Sequence, residues 1–446
     1  MLPGKNATMH RIPSPFHVPW RATAPAAFPR SFEGTELKTR IVFIMELARR
    51  LHQYGTSAPR LEMAISGVSQ RFGLQADVWS SPTAIIVSFA ELSQGEEALA
   101  QVTQVMRLSP GDVNLSRLCE ADTIADRVTD GDLDMREGFR LLRQLGKPET
   151  RQAQASVIAT YGLAAASVVA LLLHCAWTDL VTAGVIGLII GWIMVSSATR
   201  PRLAIASEAI SALVATTVAI TVSAYIVPLA LKSVILASLI VLVPGMALTT
   251  AVREISSQHL VAGMARMGGA ISTLLKLTFG TVAATQLCDA LGIHARDFAQ
   301  TPLPTWTEAV ALIVGAFAWA IAFRAARRDW LTVMGAVILG YLATRWGGQI
   351  AGSLPKAPFG VFLGGFLLSA LANAYARYMH RPGSVIREPG IILLVPGSVG
   401  FRSVSYLLER DTELGMDTGL LLVTLLVSLV AGLLFGDLLV SPRRSL

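Results

Sequence analysis

The feature that most limits the possible folds of this chain is a succession of long apolar segments that begins near residue 153. The chain has 446 residues, of which 53% are hydrophobic and only 15% are charged, whereas an ordinary soluble domain is roughly 25% charged. Segments of about 20 apolar residues can cross the hydrocarbon core of a bilayer. We therefore expect a mostly α-helical, polytopic membrane protein.

About ten segments have the length that a membrane-spanning helix needs. They are residues 155–176, 179–198, 203–226, 229–250, 260–286, 306–324, 330–346, 357–377, 389–407 and 418–440. The ninth is the least regular, because Gly390, Pro396 and Gly397 interrupt it.

The basic residues between these segments indicate the orientation. On one side of the membrane the count places Lys147, Arg151, Arg200, Arg202, Arg253, Arg324, Arg327, Arg328, Arg377, Arg381, Arg387, Arg443 and Arg444. On the other side it places Lys232, Arg296, Arg345, Lys356, Arg402 and Arg410. Cytoplasmic loops carry the excess of Lys and Arg. Both termini are therefore predicted to be cytoplasmic, and the formal net charge of +7 is not taken as a sign of nucleic-acid binding.

One motif occurs twice in the apolar part of the chain. Val243-Pro244-Gly245 lies in the fourth segment and Val395-Pro396-Gly397 in the ninth, and Gly263-Met264 follows the first at the spacing at which Gly415-Met416 follows the second. The ten segments thus divide into two halves of five. Because five is odd, the second half enters the membrane from the opposite side. Two inverted five-helix repeats are a usual architecture of secondary transporters.

The repeated Pro-Gly pair marks a candidate substrate site. Proline removes a backbone donor and glycine is conformationally permissive, so the pair breaks a helix and frees carbonyl groups. Inside a membrane such groups find partners or line a cavity, where they suit the charged ends of an amino acid. The alternative is a packing kink whose carbonyls are satisfied by neighbours. The candidate residues are Pro244, Gly245, Thr249, Thr250, Pro396, Gly397 and Ser398.

Charged residues at membrane depth are candidate functional groups. Glu208 in the third segment is a candidate proton carrier or the partner of Lys276 in the fifth; both can also snorkel to the interface. Arg253 and Glu254 follow the first motif, where a gate contact or a solvated loop is expected, with the loop favoured. Asp437, near the end of the last segment, is expected at the membrane interface.

The chain divides into four parts: a proline-rich disordered tail at residues 1–33, a cytoplasmic α+β domain at 34–152, and two transmembrane modules at 153–292 and 293–446. Helical spacing alternates with short β-rich segments in the second part. It has no triad spacing of catalytic residues. The chain has no P-loop, so an ion gradient is the expected energy source. Its three cysteines and seven histidines indicate neither a disulfide framework nor a metal, and no cofactor is expected.

Three stretches together resemble the bacterial threonine/serine exporter family. They are LARRLHQYGTSAPRLEMAISGVSQRFGL from residue 47, LVPGMALTTAVREISSQHLVAGMARMGGA from residue 242, and the second half from ILLVPGS to FGD. The resemblance implies export of threonine and serine across the bacterial inner membrane, driven by the proton motive force, with the soluble domain in the cytoplasm. It departs at Ala58-Pro59, where the family more often has a hydroxyl residue, so a polar role of that turn is in doubt.

Three alternatives stay open at this stage. The first is export of a small dicarboxylate such as succinate, with which relatives that split the two modules over two chains are associated. The second is a membrane-anchored enzyme whose chemistry lies in the soluble domain, and the third is a passive channel. The expected partners are threonine or serine, protons and the bilayer, with no nucleic acid; a homo-oligomer is left open.

Overall fold

A computed structural model of the protein describes residues 36–92, 102–148, 150–173, 175–296, 302–351 and 356–442. The predicted disordered tail, residues 1–33, lies outside the described residues. The described chain is mostly helical and carries one small antiparallel sheet, as the sequence predicts.

The N-terminal part is a small α+β domain. Its elements are α1 (Leu37–Gln53), α2 (Ala58–Arg71), β1 (Leu74–Ser81), β2 (Ala84–Glu91), β3 (Val102–Arg107), α3 (Leu115–Thr129) and α4 (Met135–Leu145). The strands form an antiparallel sheet in the order β1-β2-β3. One face of the sheet packs on the helices, where Phe43, Leu47, Ile65 and Phe89 are almost fully buried. This apolar cluster is the core that holds the soluble domain together.

The remainder of the described chain is a bundle of helices. Its elements are α5 (Arg151–Val168), α6 (Trp177–Ser197), α7 (Pro201–Tyr225), α8 (Leu231–Leu239), α9 (Gly245–Ser256), α10 (Leu260–Ala290), α11 (Trp306–Ala322), α12 (Trp330–Ile350), α13 (Lys356–Met379), α14 (Ser384–Ile391), α15 (Gly397–Leu408) and α16 (Thr412–Leu439). A π-helical turn, Val169–Leu173, extends α5. In the part of the chain that the structure describes, six helical segments are long and apolar enough to cross a membrane: α5 with its extension, α6, α7, α10, α13 and α16.

The fourth and ninth predicted segments are each broken into two helices. The first is divided into α8 and α9 and the second into α14 and α15, and the second half-helix of each starts immediately after the motif proline. Pro244 has φ −80° and ψ 44°, and Pro396 has φ −82° and ψ 38°. Because proline has no N–H group to donate and both residues leave helical geometry, the helix cannot continue through either position.

The similarity of the two segments extends beyond the breaks. After α9 the chain turns at Gln258 with φ 66°, and after α15 it turns at Arg410, also with φ 66°. The His259 N–H donates to the Glu254 carbonyl at 2.9 Å, and the Asp411 N–H donates to the Tyr406 carbonyl at 3.0 Å. Each residue of the first turn thus has a counterpart in the second at the same distance from its Pro-Gly pair.

The soluble domain is hydrogen-bonded to the helical bundle through α3. The backbone N–H groups of Leu115 and Ser116 donate to the carbonyls of Phe323 and Arg324 at 3.0 and 3.1 Å. The first N–H groups of a helix and its last carbonyls have no partner within the helix. The N–H groups at the start of α3 therefore pair with the carbonyls at the end of α11. This junction shows which end of the bundle faces the soluble domain.

Candidate functional site

The two helix breaks meet in the bundle. A Cβ atom built on Gly397 would lie 2.9 Å from the Gly245 Cα atom and 2.8 Å from Val243 Cγ1. Gly245 in turn approaches Gly397 and Val395 so closely that it has no space for a side chain. Glycine at both positions lets the backbones of the two broken segments touch. The structure therefore brings together two motifs that are about 150 residues apart in the sequence.

The helix starts at this crossing have no side-chain caps. Pro244 and Pro396 have no side-chain group that could accept a hydrogen bond from the first N–H groups of the half-helix, and only their backbone carbonyls accept, from Leu248 and Gly400. Thr249, one turn into α9, is buried, and its hydroxyl has no partner among the residues that the structure describes. Thr250 and Ser398 are half-buried. Uncapped N–H groups and the positive end of the helix dipole make such a place suitable for a carboxylate.

Glu208 and Lys276 lie within ion-pair distance of each other. Glu208 Oε2 is 3.6 Å from Lys276 Nζ, and the side chains are 22% and 36% exposed. The pair joins α7 to α10, and the Ser207 hydroxyl is at the limit of hydrogen-bond distance from the same carboxylate. The geometry keeps open both predicted roles of Glu208, as a proton carrier and as the compensating charge for Lys276.

The expectation of a solvated loop at Arg253 and Glu254 is wrong, because both residues lie within α9. Glu254 is fully buried. Its two carboxylate oxygens accept hydrogen bonds from the Arg266 guanidinium at 3.0 and 3.1 Å, and Oε1 also accepts the Ala58 N–H at 3.1 Å. Glu254 therefore caps the start of α2 in the soluble domain while its charge is balanced from α10.

A second contact joins the soluble domain to the same turn. Glu62 Oε2 is 3.1 Å from His259 Nε2, and Glu62 Oε1 accepts hydrogen bonds from the backbone and hydroxyl of Ser80. The Ser57–Glu62 region, which combines hydroxyls with charged residues, thus contributes a docking contact.

Asp437, which the sequence predicts to lie at the membrane interface, has a side chain that is 20% exposed and lies in a polar cluster. Oδ1 accepts hydrogen bonds from Ser369, Asn373 and Arg387 at 2.8, 2.7 and 2.6 Å. Oδ2 is 3.7 Å from an Arg253 nitrogen. The cluster links α9 of the first half to α13, α14 and α16 of the second, on the side of the bundle that faces the soluble domain.

A polar group around Glu308 lies at the opposite end of the bundle, and it was not predicted from the sequence. Glu308 Oε1 accepts a 2.7 Å hydrogen bond from the Tyr341 hydroxyl and forms an ion pair with Arg345. Two tryptophans, Trp177 and Trp306, lie nearby at the starts of α6 and α11, with ring centroids 6.2 Å apart. The available signal was a carboxylate and an arginine at the ends of neighbouring apolar segments.

The described residues contain no group of three or more His, Cys, Asp or Glu side chains arranged to hold a metal ion.

The long apolar helices and the broken segments of the described chain define a multi-pass membrane protein with an attached soluble domain.

Comparison with known families identifies the chain more closely. Residues 42–288 match the family model described as "Putative threonine/serine exporter", and residues 308–439 match the model described as "Threonine/Serine exporter, ThrE". The chain belongs to the threonine/serine exporter family, with both membrane modules in one polypeptide.

Its curated relatives include fungal proteins named pheromone-regulated membrane protein 10. The one from Debaryomyces hansenii is 23% identical over 380 residues, which cover 81% of this chain and 36% of the relative. The one from Eremothecium gossypii is 24% identical over 406 residues, which cover 88% of this chain and 53% of the relative. The chain thus spans between a third and slightly over half of the length of these relatives. No solved structure matches it.

Proposed function

We propose that this protein is a secondary transporter that exports threonine and serine from the cytoplasm and is driven by the proton motive force. The observation that carries the proposal is the contact between two matching helix breaks, at Gly245 and Gly397, in a chain of this family. Such breaks let a membrane protein present unpaired backbone groups to a substrate. We place the protein in the bacterial inner membrane, with both termini cytoplasmic.

The proposed architecture is ten membrane crossings in two inverted repeats of five helices. The first repeat would comprise α5, α6, α7, the broken pair α8–α9, and α10; the second would comprise α11, α12, α13, the broken pair α14–α15, and α16. Two observations support this assignment. The broken pair is the fourth member of each repeat, and the φ and ψ angles of Pro244 match those of Pro396. Two such repeats give inward-open and outward-open states of related structure.

The candidate substrate groups are the residues around the two breaks, with Thr249, Thr250 and Ser398 as nearby hydroxyls. Glu208 would carry the coupled proton, because a carboxylate next to a lysine at membrane depth can alternate between a proton and an ion pair. Arg253 would belong to the gate on the cytoplasmic side, since it lies near Asp437 of the other half.

The deciding experiment measures uptake of labelled threonine, serine and succinate into inside-out membrane vesicles, with and without a protonophore. Threonine and serine uptake that collapses with the protonophore supports the proposal. A passive channel is indicated if the protonophore leaves uptake unchanged and if uptake runs only down the substrate gradient and does not depend on pH. Absence of flux for all three compounds removes the transport proposal and returns attention to an enzymatic role of the soluble domain.

A small dicarboxylate is the second candidate substrate. The observation in its favour is that two uncapped helix starts lie side by side, since each favours a negative charge. Succinate uptake without threonine uptake in the same vesicles would establish this alternative and keep the proposed architecture.

A further inference from the structure

A cavity of about 350 Å³ lies beside the second helix break. Its lining residues are Leu171, Leu172, Glu308, Tyr341, Thr344, Arg345, Leu393 and Leu394. The last two belong to the segment between α14 and α15, two to three residues before Pro396. The cavity therefore joins the Glu308 group at its polar end to the broken segment at its apolar end.

The cavity is at the end of the bundle away from the soluble domain. Glu308 is in the first turn of α11, whereas Phe323 and Arg324, which accept hydrogen bonds from the soluble domain, follow the last turn. A helix of this length spans roughly 25 Å. Arg345 at the mouth of the cavity is half-exposed, so solvent reaches this group from the far side.

The polar groups of the cavity match the three polar parts of a small hydroxy amino acid. The hydrogen bonds that Glu308 accepts from described residues end on Oε1, which leaves Oε2 for an ammonium group. Arg345 can offer a guanidinium N–H to a carboxylate. The Thr344 hydroxyl is shielded from solvent and has no partner in the described part of the chain. This hydroxyl lies against Gly364 of α13, and a change of its χ1 angle would turn it toward a ligand in the cavity that Thr344 lines.

We propose that this cavity is the binding site for a small zwitterionic α-amino acid on the side away from the soluble domain. Glu308 binds the ammonium group, Arg345 the carboxylate, and Thr344 the side-chain hydroxyl of threonine or serine. The inference rests on the proposed transport function and assigns its substrate site on that side. It also extends the candidate substrate site beyond the two Pro-Gly pairs. The added part is the cavity beside the second pair, which Leu393 and Leu394 line.

The same groups disfavour a dicarboxylate. A dianion in the cavity would place a second negative charge beside Glu308, and among the described residues that line the cavity Arg345 alone carries a guanidinium. Like charges at short range repel each other. A zwitterion instead supplies one charge of each sign, and each meets its opposite. The cavity thus favours threonine or serine over a dicarboxylate, whereas the two helix starts do not distinguish between these substrates.

Contacts at the other end of the bundle are consistent with access from the far side. Arg253 and Asp437 connect the two halves there, and the buried Glu254–Arg266 pair adjoins the docked soluble domain. These contacts lie between the crossing of the breaks and the soluble domain. This arrangement corresponds to the conformation in which substrate leaves.

The test measures binding of labelled threonine to the purified full chain in lipid nanodiscs. Glu308→Gln keeps the shape and removes the charge, so threonine affinity should fall about ten- to hundred-fold, the cost of a lost charge-assisted hydrogen bond. Thr344→Val should reduce threonine affinity about ten-fold and leave alanine affinity unchanged, because alanine has no hydroxyl to bond. Matched controls are Glu409→Gln and Thr424→Val, which lie outside the cavity.

The outcomes separate this inference from the proposed function. Wild-type protein that neither binds nor moves threonine contradicts the transport function itself. Wild-type protein that moves threonine, with Glu308→Gln and Thr344→Val both equal to wild type in affinity, overturns the cavity assignment alone. If Glu308→Gln does not fold, the threonine-to-alanine affinity ratio of Thr344→Val decides: a ratio equal to that of wild type overturns the assignment.

Discussion

Gly245 and Gly397 lie back to back where the two broken segments cross, and a Cβ atom on Gly397 would be 2.9 Å from the Gly245 Cα atom. The contact is reciprocal, since Gly245 meets Gly397 and Val395 in the same way that Gly397 meets Gly245 and Val243. Two residues without side chains are therefore required in one place, and they come from equivalent positions of two similar segments.

Gly397→Ala should lower both stability and transport. The added methyl group has no space between Val243 and Gly245, and such overpacking costs about 1–3 kcal/mol. Thermal unfolding in detergent and threonine flux in vesicles measure the two effects. Gly268→Ala is the matched control, because a Cβ atom there meets nothing within 4 Å and alanine favours a helix. A Gly397→Ala variant as stable as the Gly268→Ala variant would contradict the close approach.

The helix breaks could be predicted from the sequence because their cause is local. Proline lacks the N–H group that continues a helix, and this remains true whatever surrounds Pro244 and Pro396. The small α+β domain was predictable for a similar reason, since short β-rich segments alternate with helical spacing. The contact between Gly245 and Gly397 was not predictable, because similar segments need not touch.

The environments of the charged residues could not be predicted, because their partners are distant in the sequence. Glu254 bonds to Ala58, which is 196 residues away, and its burial depends on how the soluble domain docks. Asp437 gains its partners only where three helices of the second half meet α9. The glycines of α10 also differ in ways that depend on packing: Gly263 packs against α9, whereas Gly268 and Gly269 face open space.

Glu254→Ala should loosen the soluble domain from the bundle. The change leaves Arg266 without its carboxylate and the Ala58 N–H without a cap, and breaking a buried ion pair costs roughly 3–5 kcal/mol. The free energy of unfolding and the rate of proteolytic release of the soluble domain are the measurements. Glu413→Ala, at an exposed carboxylate, serves as the control. A double-mutant cycle with Arg266→Ala that gives no coupling energy would refute the pairing.

Asp122→Asn should make the protein more stable at alkaline pH. Burial raises the pKa of the Asp122 carboxyl to about 7 from 3.8, although Arg60 opposes the shift, and Oδ1 has no partner in the described chain. The unfolded chain releases this proton at lower pH than the folded chain does, so the stability of the wild type falls as pH rises from about 4 to about 7. Between pH 5.5 and 8 the loss from this group is roughly 2 kcal/mol.

The asparagine variant should lack that part of the pH dependence, which unfolding temperatures at pH 5.5 and 8 can measure. Asp134→Asn is the control: Asp134 caps α4 at the surface, and asparagine caps a helix about equally well. If Asp122→Asn follows wild type at both pH values, the carboxyl does not hold its proton in the folded protein.

Glu208→Gln separates the two hypotheses for the charge pair in α7 and α10. If Glu208 carries the coupled proton, the variant should lose uptake driven by a pH gradient but retain exchange of threonine for threonine, which needs no net proton movement. If Glu208 only balances Lys276, the defect arises from an uncompensated lysine. In that case the double variant Glu208→Gln, Lys276→Gln should recover gradient-driven uptake, because both charges of the 3.6 Å pair are gone. If Glu208 is the proton carrier, the double variant should still lack gradient-driven uptake. Comparing gradient-driven uptake in the single and the double variant therefore decides between a proton carrier and a compensating charge.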